Sequence, residues 1–139
     1  MSRKGFTLAE MIVVLGIIGL ISAIGVMQFS SQSSKAREDQ LRQELQVVRT
    51  AVKAFCEDTL FYPNSLSDLT SRTAPANAAN PTTGASSSYE TARWRGPYLD
   101  RVPVDPISRN AFSYTPGDTG FVRSSASGND SKGVAYSSY

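Results

Sequence analysis

A single carboxylate stands near the start of a long apolar segment. Glu10 is the only charged residue among the 24 from Phe6 to Phe29. At about 1.5 Å per residue a helix of this length spans roughly 36 Å, enough to cross a bilayer core of about 30 Å. An ionised side chain in such a segment is costly unless a positive charge meets it. A cut between Gly5 and Phe6 would supply that charge as an α-amino group, four residues before Glu10.

Self-assembly follows from this pairing. In a bundle of identical helices, the amine of one chain can reach Glu10 of its neighbour, and each charge then relieves the other in a low-dielectric environment. Two other interpretations compete. A cleaved secretory signal would have a shorter apolar core, whereas this one continues past 22–25. A plain anchor explains the length and the basic pair Arg3 and Lys4, but it leaves Glu10 unexplained.

Composition narrows the function classes. The chain has 14 basic and 12 acidic residues, and Arg3 and Lys4 account for the net charge of +2. The balanced remainder argues against a nucleic-acid binder. There is no histidine and one cysteine, Cys56, so a Cys/His zinc site, an intramolecular disulfide and a serine–histidine pair cannot be built. We therefore predict that the protein is not an enzyme, and we expect Cys56 to be a small buried apolar residue on a helix.

Hydrophobic spacing predicts one helix from Phe6 to about residue 60. Its second half carries an apolar stripe at spacings of four and three residues, which predicts packing under a small domain: Leu41, Leu45, Val48, Val52 and Phe55. Tyr62-Pro63 ends this helix. A capping-box pattern, Ser65-Leu66-Ser67-Asp68, predicts a short second helix to about Arg72.

The remainder of the chain predicts a small sheet. Residues 70–88 hold no aromatic and no large aliphatic residue, so we expect a surface loop. Three short segments, 111–115, 120–125 and 134–136, are typical of antiparallel strands separated by polar turns. The predicted fold class is α+β: a long N-terminal helix packed on a three-stranded antiparallel sheet at about 111–136.

The N-terminal motif resembles a known class. Basic residues, then Gly5-Phe6-Thr7-Leu8-Ala9-Glu10 and an apolar helix, are similar to the class III signal of type IV pilins and type II secretion pseudopilins. The resemblance implies cleavage after Gly5 by a prepilin peptidase, N-methylation of Phe6, and a role for Glu10 in aligning each incoming subunit. It also implies a leader at 1–5, a membrane-spanning or filament-core helix at 6–29, and a periplasmic pilin-like domain at 30–139.

The second half resembles the major pseudopilins of type II secretion systems, through Phe61-Tyr62-Pro63, Gly96-Pro97-Tyr98-Leu99, Pro103-Val104-Asp105-Pro106 and Phe112-Ser113-Tyr114. The resemblance implies a homopolymer that grows as a helical filament from the bacterial inner membrane and drives protein export. Its implied partners are minor pseudopilins, an inner-membrane platform protein and a cytoplasmic assembly ATPase. The alternative is a type IV pilus subunit for adhesion, motility or DNA uptake. A DNA-gripping minor pilin would need a basic face, but Arg93, Arg95, Arg101 and Arg109 are interleaved with acids.

The same resemblance raises the question of calcium, which major pseudopilins often hold between their last strands. Calcium requires six to eight oxygen ligands, usually including carboxylates. Asp118 and Asp130 are the only acids after Asp105 and are the candidate ligands. The competing interpretation is that Gly128-Asn129-Asp130 simply forms a tight turn.

Overall fold

The computed structural model describes residue 5, residues 7–117 and residues 121–139; of residues 23–31 it describes only the helical backbone. The chain divides into two compact units, Met1–Ala36 and Arg37–Tyr139. The described elements are a long helix, two pairs of strands and three short 3₁₀ helices. The α+β class and the long N-terminal helix are confirmed.

The long helix, α1, covers Leu8–Thr59. It ends where Leu60 adopts the left-handed conformation, with φ of 63°, and where Tyr62 and Pro63 follow. No helix in the described part of the chain is long and apolar enough to cross a membrane. The predicted apolar segment 6–29 lies partly outside the described residues.

The core of the second unit is built on the predicted stripe of α1. All five stripe side chains are buried, and they pack against apolar residues from the rest of the unit: Leu66, Leu69, Ala78, Phe112 and Val122. Leu66 and Leu69 belong to a 3₁₀ helix, Leu66–Thr70. This helix begins where predicted, since Asp68 Oδ2 accepts the Ser65 N–H at 2.9 Å. The burial of all five stripe residues confirms the prediction that this face of α1 packs under a small domain.

The strands form two separate antiparallel pairs. Strand β1, Asn77–Ala79, pairs with β2, Ser86–Ser88. Strand β3, Ser113–Thr115, pairs with β4, Phe121–Arg123. The prediction of one three-stranded sheet is wrong in this respect, because the described strands make two two-stranded sheets.

The predicted third strand, 134–136, is replaced by a wound segment. Asp130 accepts hydrogen bonds from the N–H groups of Lys132 and Val134, at 2.8 and 2.7 Å. These bonds curl the chain around the carboxylate. A backbone N–H that donates to a nearby side chain is not available to a neighbouring strand. A 3₁₀ helix, Tyr136–Ser138, follows.

The segment 70–88 differs from the predicted surface loop, since it contains the hairpin β1–β2. Ala78 and Ala79 are fully buried, and Ala79 exchanges two backbone hydrogen bonds with Tyr62, at 2.9 and 2.7 Å. A small side chain can enter a core where the backbone itself approaches closely. Absence of large apolar residues therefore misled the prediction.

The segment between the hairpin and β3 is ordered by its aromatic residues. A cis peptide bond joins Gly96 and Pro97, and the rings of Trp94 and Tyr98 meet edge to face, with centroids 6.2 Å apart. A Cβ on Gly96 would lie 2.6 Å from Trp94 Cζ2. A side chain at position 96 would therefore force the two rings to shift.

Candidate functional site at the start of the apolar helix

Glu10 lies in the first turn of α1 and is held by Thr7. Its Oε2 accepts from the Thr7 backbone N–H at 2.9 Å and from the Thr7 hydroxyl at 3.0 Å. In return, the Glu10 N–H donates to Thr7 Oγ1 at 3.3 Å. This is a capping box, in which Thr7 is the N-cap and Glu10 the third helical residue. The carboxylate also lies at the positive end of the helix dipole.

The capping box uses only one carboxylate oxygen of Glu10. Within the described residues, Oε1 accepts no hydrogen bond, and Glu10 is exposed in the isolated chain. A carboxylate can accept about four hydrogen bonds through its two oxygens. The side chain is therefore fixed in orientation while one oxygen stays available for a donor from outside the chain.

Apolar side chains surround this carboxylate along the helix surface. The large apolar residues described from Leu8 to Ile21 are 46 to 78 % exposed. A soluble monomer rarely leaves so large an apolar surface uncovered, and such patches mark protein or membrane contacts. The surface around Glu10 is thus suited to packing against lipid or against other helices.

Of the two residues of the predicted cleavage site, the structure describes Gly5 but not Phe6. Gly5 is exposed, and a Cβ built on it meets no atom within 4 Å. Cleavage and N-methylation thus remain predictions from the motif.

Of the two predicted calcium ligands, Asp118 lies outside the described residues, and only Asp130 can be placed. Asp130 is buried, and its Oδ1 accepts from the backbone N–H groups of Lys132 and Val134. Its Oδ2 accepts from the Tyr139 hydroxyl at 2.5 Å and from Arg42 Nη2 at 3.3 Å. The described residues also contain no group of three or more acidic, histidine or cysteine side chains that could hold a metal.

The surroundings of Asp130 do not fit a calcium ion. Calcium needs a shell of oxygen lone pairs, but this carboxylate faces N–H and O–H donors and a guanidinium. The hydrogen bond from Tyr139, followed by those from the Val134 and Lys132 backbone and the charge of Arg42, lowers the pKa of Asp130 even though burial raises it. The carboxylate is already stabilised as an anion by the protein.

Glu38 is a buried acid that the sequence analysis missed. It accepts the Ser131 N–H at 2.9 Å and the Ser131 hydroxyl at 2.6 Å. The Ser131 hydroxyl is the largest influence on the pKa of Glu38, which is lowered. Glu38 continues the apolar stripe three residues before Leu41. A charged residue at a stripe position was the available signal that a polar partner would meet it.

Cys56 offers little reactivity. It lies on α1, partly buried, and burial raises the pKa of its thiol. A thiol with a raised pKa has little thiolate at neutral pH, and the thiolate is the nucleophile.

Comparison with known proteins decides the family. A prokaryotic N-terminal methylation motif matches residues 1–26. The sequence family of type II secretion system protein G matches residues 28–135. The chain belongs to the type II secretion system protein G family.

The similar proteins agree with this assignment. The type II secretion system core protein G of Pseudomonas aeruginosa is 28% identical over 120 residues, covering 85% of this chain and 78% of the relative. The core protein G of Vibrio cholerae is 26% identical, covering 86% and 76%. The type IV major alpha-pilin of Moraxella bovis is 38% identical, but over only 38% of this chain and 33% of that pilin. No solved structure gives a significant match.

Proposed function

We propose that this protein G family member is a structural subunit that polymerises into the helical pseudopilus of a type II secretion system and so drives protein export. The observation that carries the proposal is the Glu10 carboxylate. It is oriented by Thr7 through Oε2 and keeps Oε1 available, within an exposed apolar surface. A group with these properties needs a cation from a second chain once water is excluded.

The required cation is the α-amino group of Phe6 of a neighbouring subunit, created when the prepilin peptidase cuts after Gly5. A register error would leave both charges unpaired in an apolar environment, which costs several kcal/mol. Glu10 therefore favours the one alignment in which amine and carboxylate meet. N-methylation of Phe6 keeps the positive charge, because a secondary amine is still protonated at neutral pH.

Before assembly, the subunit resides in the inner membrane through 6–29, with the domain in the periplasm. Head-to-tail contacts that do not close into a ring then generate a helical filament. The cytoplasmic ATPase supplies the energy through the platform protein, and minor pseudopilins complete the assembly. This chain contributes surface and register, and we propose no catalysis for it.

A type IV pilus subunit is the second candidate. Pilins match a shorter part of the chain than the core G proteins do. The similarity to pilins therefore favours a type IV pilus subunit only weakly.

Processing is tested by intact mass of the protein recovered from membranes. The wild type should lack residues 1–5 and carry one added methyl group, and Gly5→Ala should stay unprocessed. An unprocessed wild type would refute the filament proposal.

Assembly is tested by comparing Glu10→Gln with Glu57→Gln, which makes the same change at an exposed carboxylate of the same helix. Sheared filaments should disappear in the first variant and persist in the second. Equal filament yield from both variants would refute the role of Glu10.

A further inference from the structure

Arg42 of α1 lies at the centre of a polar cluster that reaches residues 130–139. Its Nη2 donates to the Tyr139 hydroxyl at 2.7 Å and to Asp130 Oδ2 at 3.3 Å. The Tyr139 hydroxyl donates in turn to the same Asp130 oxygen. The guanidinium also lies over the Tyr139 ring, with Cζ 5.1 Å from the centroid. One cation thus contacts both the carboxylate and the aromatic residue of the segment.

Glu38 attaches the same segment one helical turn earlier. Ser131 donates to it twice, through its N–H and its hydroxyl, and Tyr136 adds a longer contact at 3.4 Å. Because positions 38 and 42 are four residues apart on α1, both side chains project from one face of the helix. The segment is therefore fixed at two neighbouring points.

Burial makes the cation necessary. The Asp130 side chain is completely buried, whereas that of Arg42 is 35% exposed. A buried carboxylate that loses its counter-charge is strongly destabilising. The segment itself presents only neutral donors to Asp130: two backbone N–H groups and the Tyr139 hydroxyl. Arg42 supplies the positive charge from α1.

We propose that Arg42 is the resident cation of this segment: it fixes residues 130–139 on α1 as an internal ion pair, so that this segment needs no calcium ion to fold. A calcium ion at Asp130 would have to displace the guanidinium and the N–H and O–H donors. The guanidinium and the N–H groups cannot act as ligands, since they offer no lone pair to a cation, and the Tyr139 hydroxyl would have to give up its hydrogen bond to Asp130.

The first test is thermal unfolding of the processed full-length chain in detergent, with excess calcium chloride or with excess EGTA. The midpoint should be the same in both. A midpoint several degrees higher with calcium, or calcium binding detected by calorimetry, would overturn the proposal. This arm uses the wild type, so no variant needs to fold.

The second test is a double-mutant cycle of Arg42→Gln and Asp130→Asn. Each single change should lower the midpoint by about 5 to 10 °C, and the double change by little more than the larger single one. Asp39→Asn is the matched control, because Asp39 contacts the same guanidinium at 2.8 Å but is 70% exposed. It should shift the midpoint by less than about 2 °C.

Strictly additive losses, or an Arg42→Gln loss no larger than the control's, would overturn the proposal. If Arg42→Gln does not fold, Tyr139→Phe tests the hydroxyl that joins Arg42 to Asp130, since it removes that hydroxyl and keeps the ring. Its loss should exceed that of Asp39→Asn. All readouts are unfolding midpoints or calcium binding, so this proposal stands or fails independently of filament assembly.

Discussion

Asp105 provides the sharpest test of how this domain is held together. Its side chain is fully buried, and it accepts four hydrogen bonds from the loop that follows it and from the residues after β4. The N–H groups of Ile107 and Ser108 donate to Oδ1, at 2.8 and 3.2 Å. The Ser124 hydroxyl and the Ser125 N–H donate to Oδ2, at 2.5 and 3.0 Å. One carboxylate thus joins two distant chain segments.

The cost of Asp105→Ala follows from these donors. Ser124 is buried, and a buried donor without an acceptor costs about 2 kcal/mol. The other three donors can recover part of their hydrogen bonding from water, which leaves about 1 kcal/mol each. We therefore expect a loss of about 4 to 5 kcal/mol in the free energy of unfolding. That is a large fraction of the roughly 5 to 15 kcal/mol typical of whole domains.

The measurement is urea unfolding of the full-length chain in detergent, followed by fluorescence of Trp94, the single tryptophan. Asp105→Asn should cost about half as much as the alanine variant, since its amide keeps one oxygen for one pair of donors. Asp100→Ala is the control, an exposed acid of the same segment. An Asp105→Ala midpoint equal to that of the control would refute the reasoning.

Three further predictions concern pH, a close approach and the helix cap. Folding lowers the pKa values of three acids: Glu38, Asp105 and Asp130. Their contribution to stability should therefore be complete above the ordinary pKa values, 4.5 for Glu and 3.8 for Asp, and should be lost as the pH falls through the lowered values of the folded state. At Asp105 burial raises the pKa, but the Ser124 hydroxyl and the three N–H groups outweigh it; a urea midpoint unchanged at acid pH would contradict this. Gly96→Ala should cost about 1 to 3 kcal/mol through its contact with Trp94, and an unchanged urea midpoint would show that the ring moves away freely. Thr7→Val should lower filament yield about threefold to tenfold, because a cap hydrogen bond is worth about 1 kcal/mol; Thr7→Ser should retain the yield, and equal yields would rule out the hydroxyl as a positioning group for Glu10.

The long helix was predictable because its stripe repeats over four turns, and each of its five side chains is buried. The hairpin at 77–88 was not, because its core contribution comes from Ala78 and Ala79. Alanine carries no strong signal for strand or core. Backbone hydrogen bonds to Tyr62 and side-chain hydrogen bonds from Asn64 hold this hairpin against the domain, and such pairing with another segment leaves no local pattern.

The same limit applies to the sites. Glu10 could be singled out as a candidate because a charge in an apolar run is conspicuous. Its capping partner Thr7 was within the quoted motif, yet its role depends on hydroxyl geometry. The contacts of Arg42 join residues 88 and 97 positions apart. No spacing rule predicts them. They emerge only when the C-terminal segment is folded onto α1.

The buried acids of the second unit differ from Glu10 in how many hydrogen bonds they accept from their own chain. Asp105 and Asp130 each accept four hydrogen bonds from their own chain. Such a carboxylate has no accepting capacity left for a partner. Glu10 accepts two, both from Thr7 and both through Oε2. A carboxylate left half satisfied in an apolar surface is stable only while water or a second chain completes it. In the filament proposed above, exclusion of water would remove the first option, and pairing with another subunit would then be the state of lower free energy.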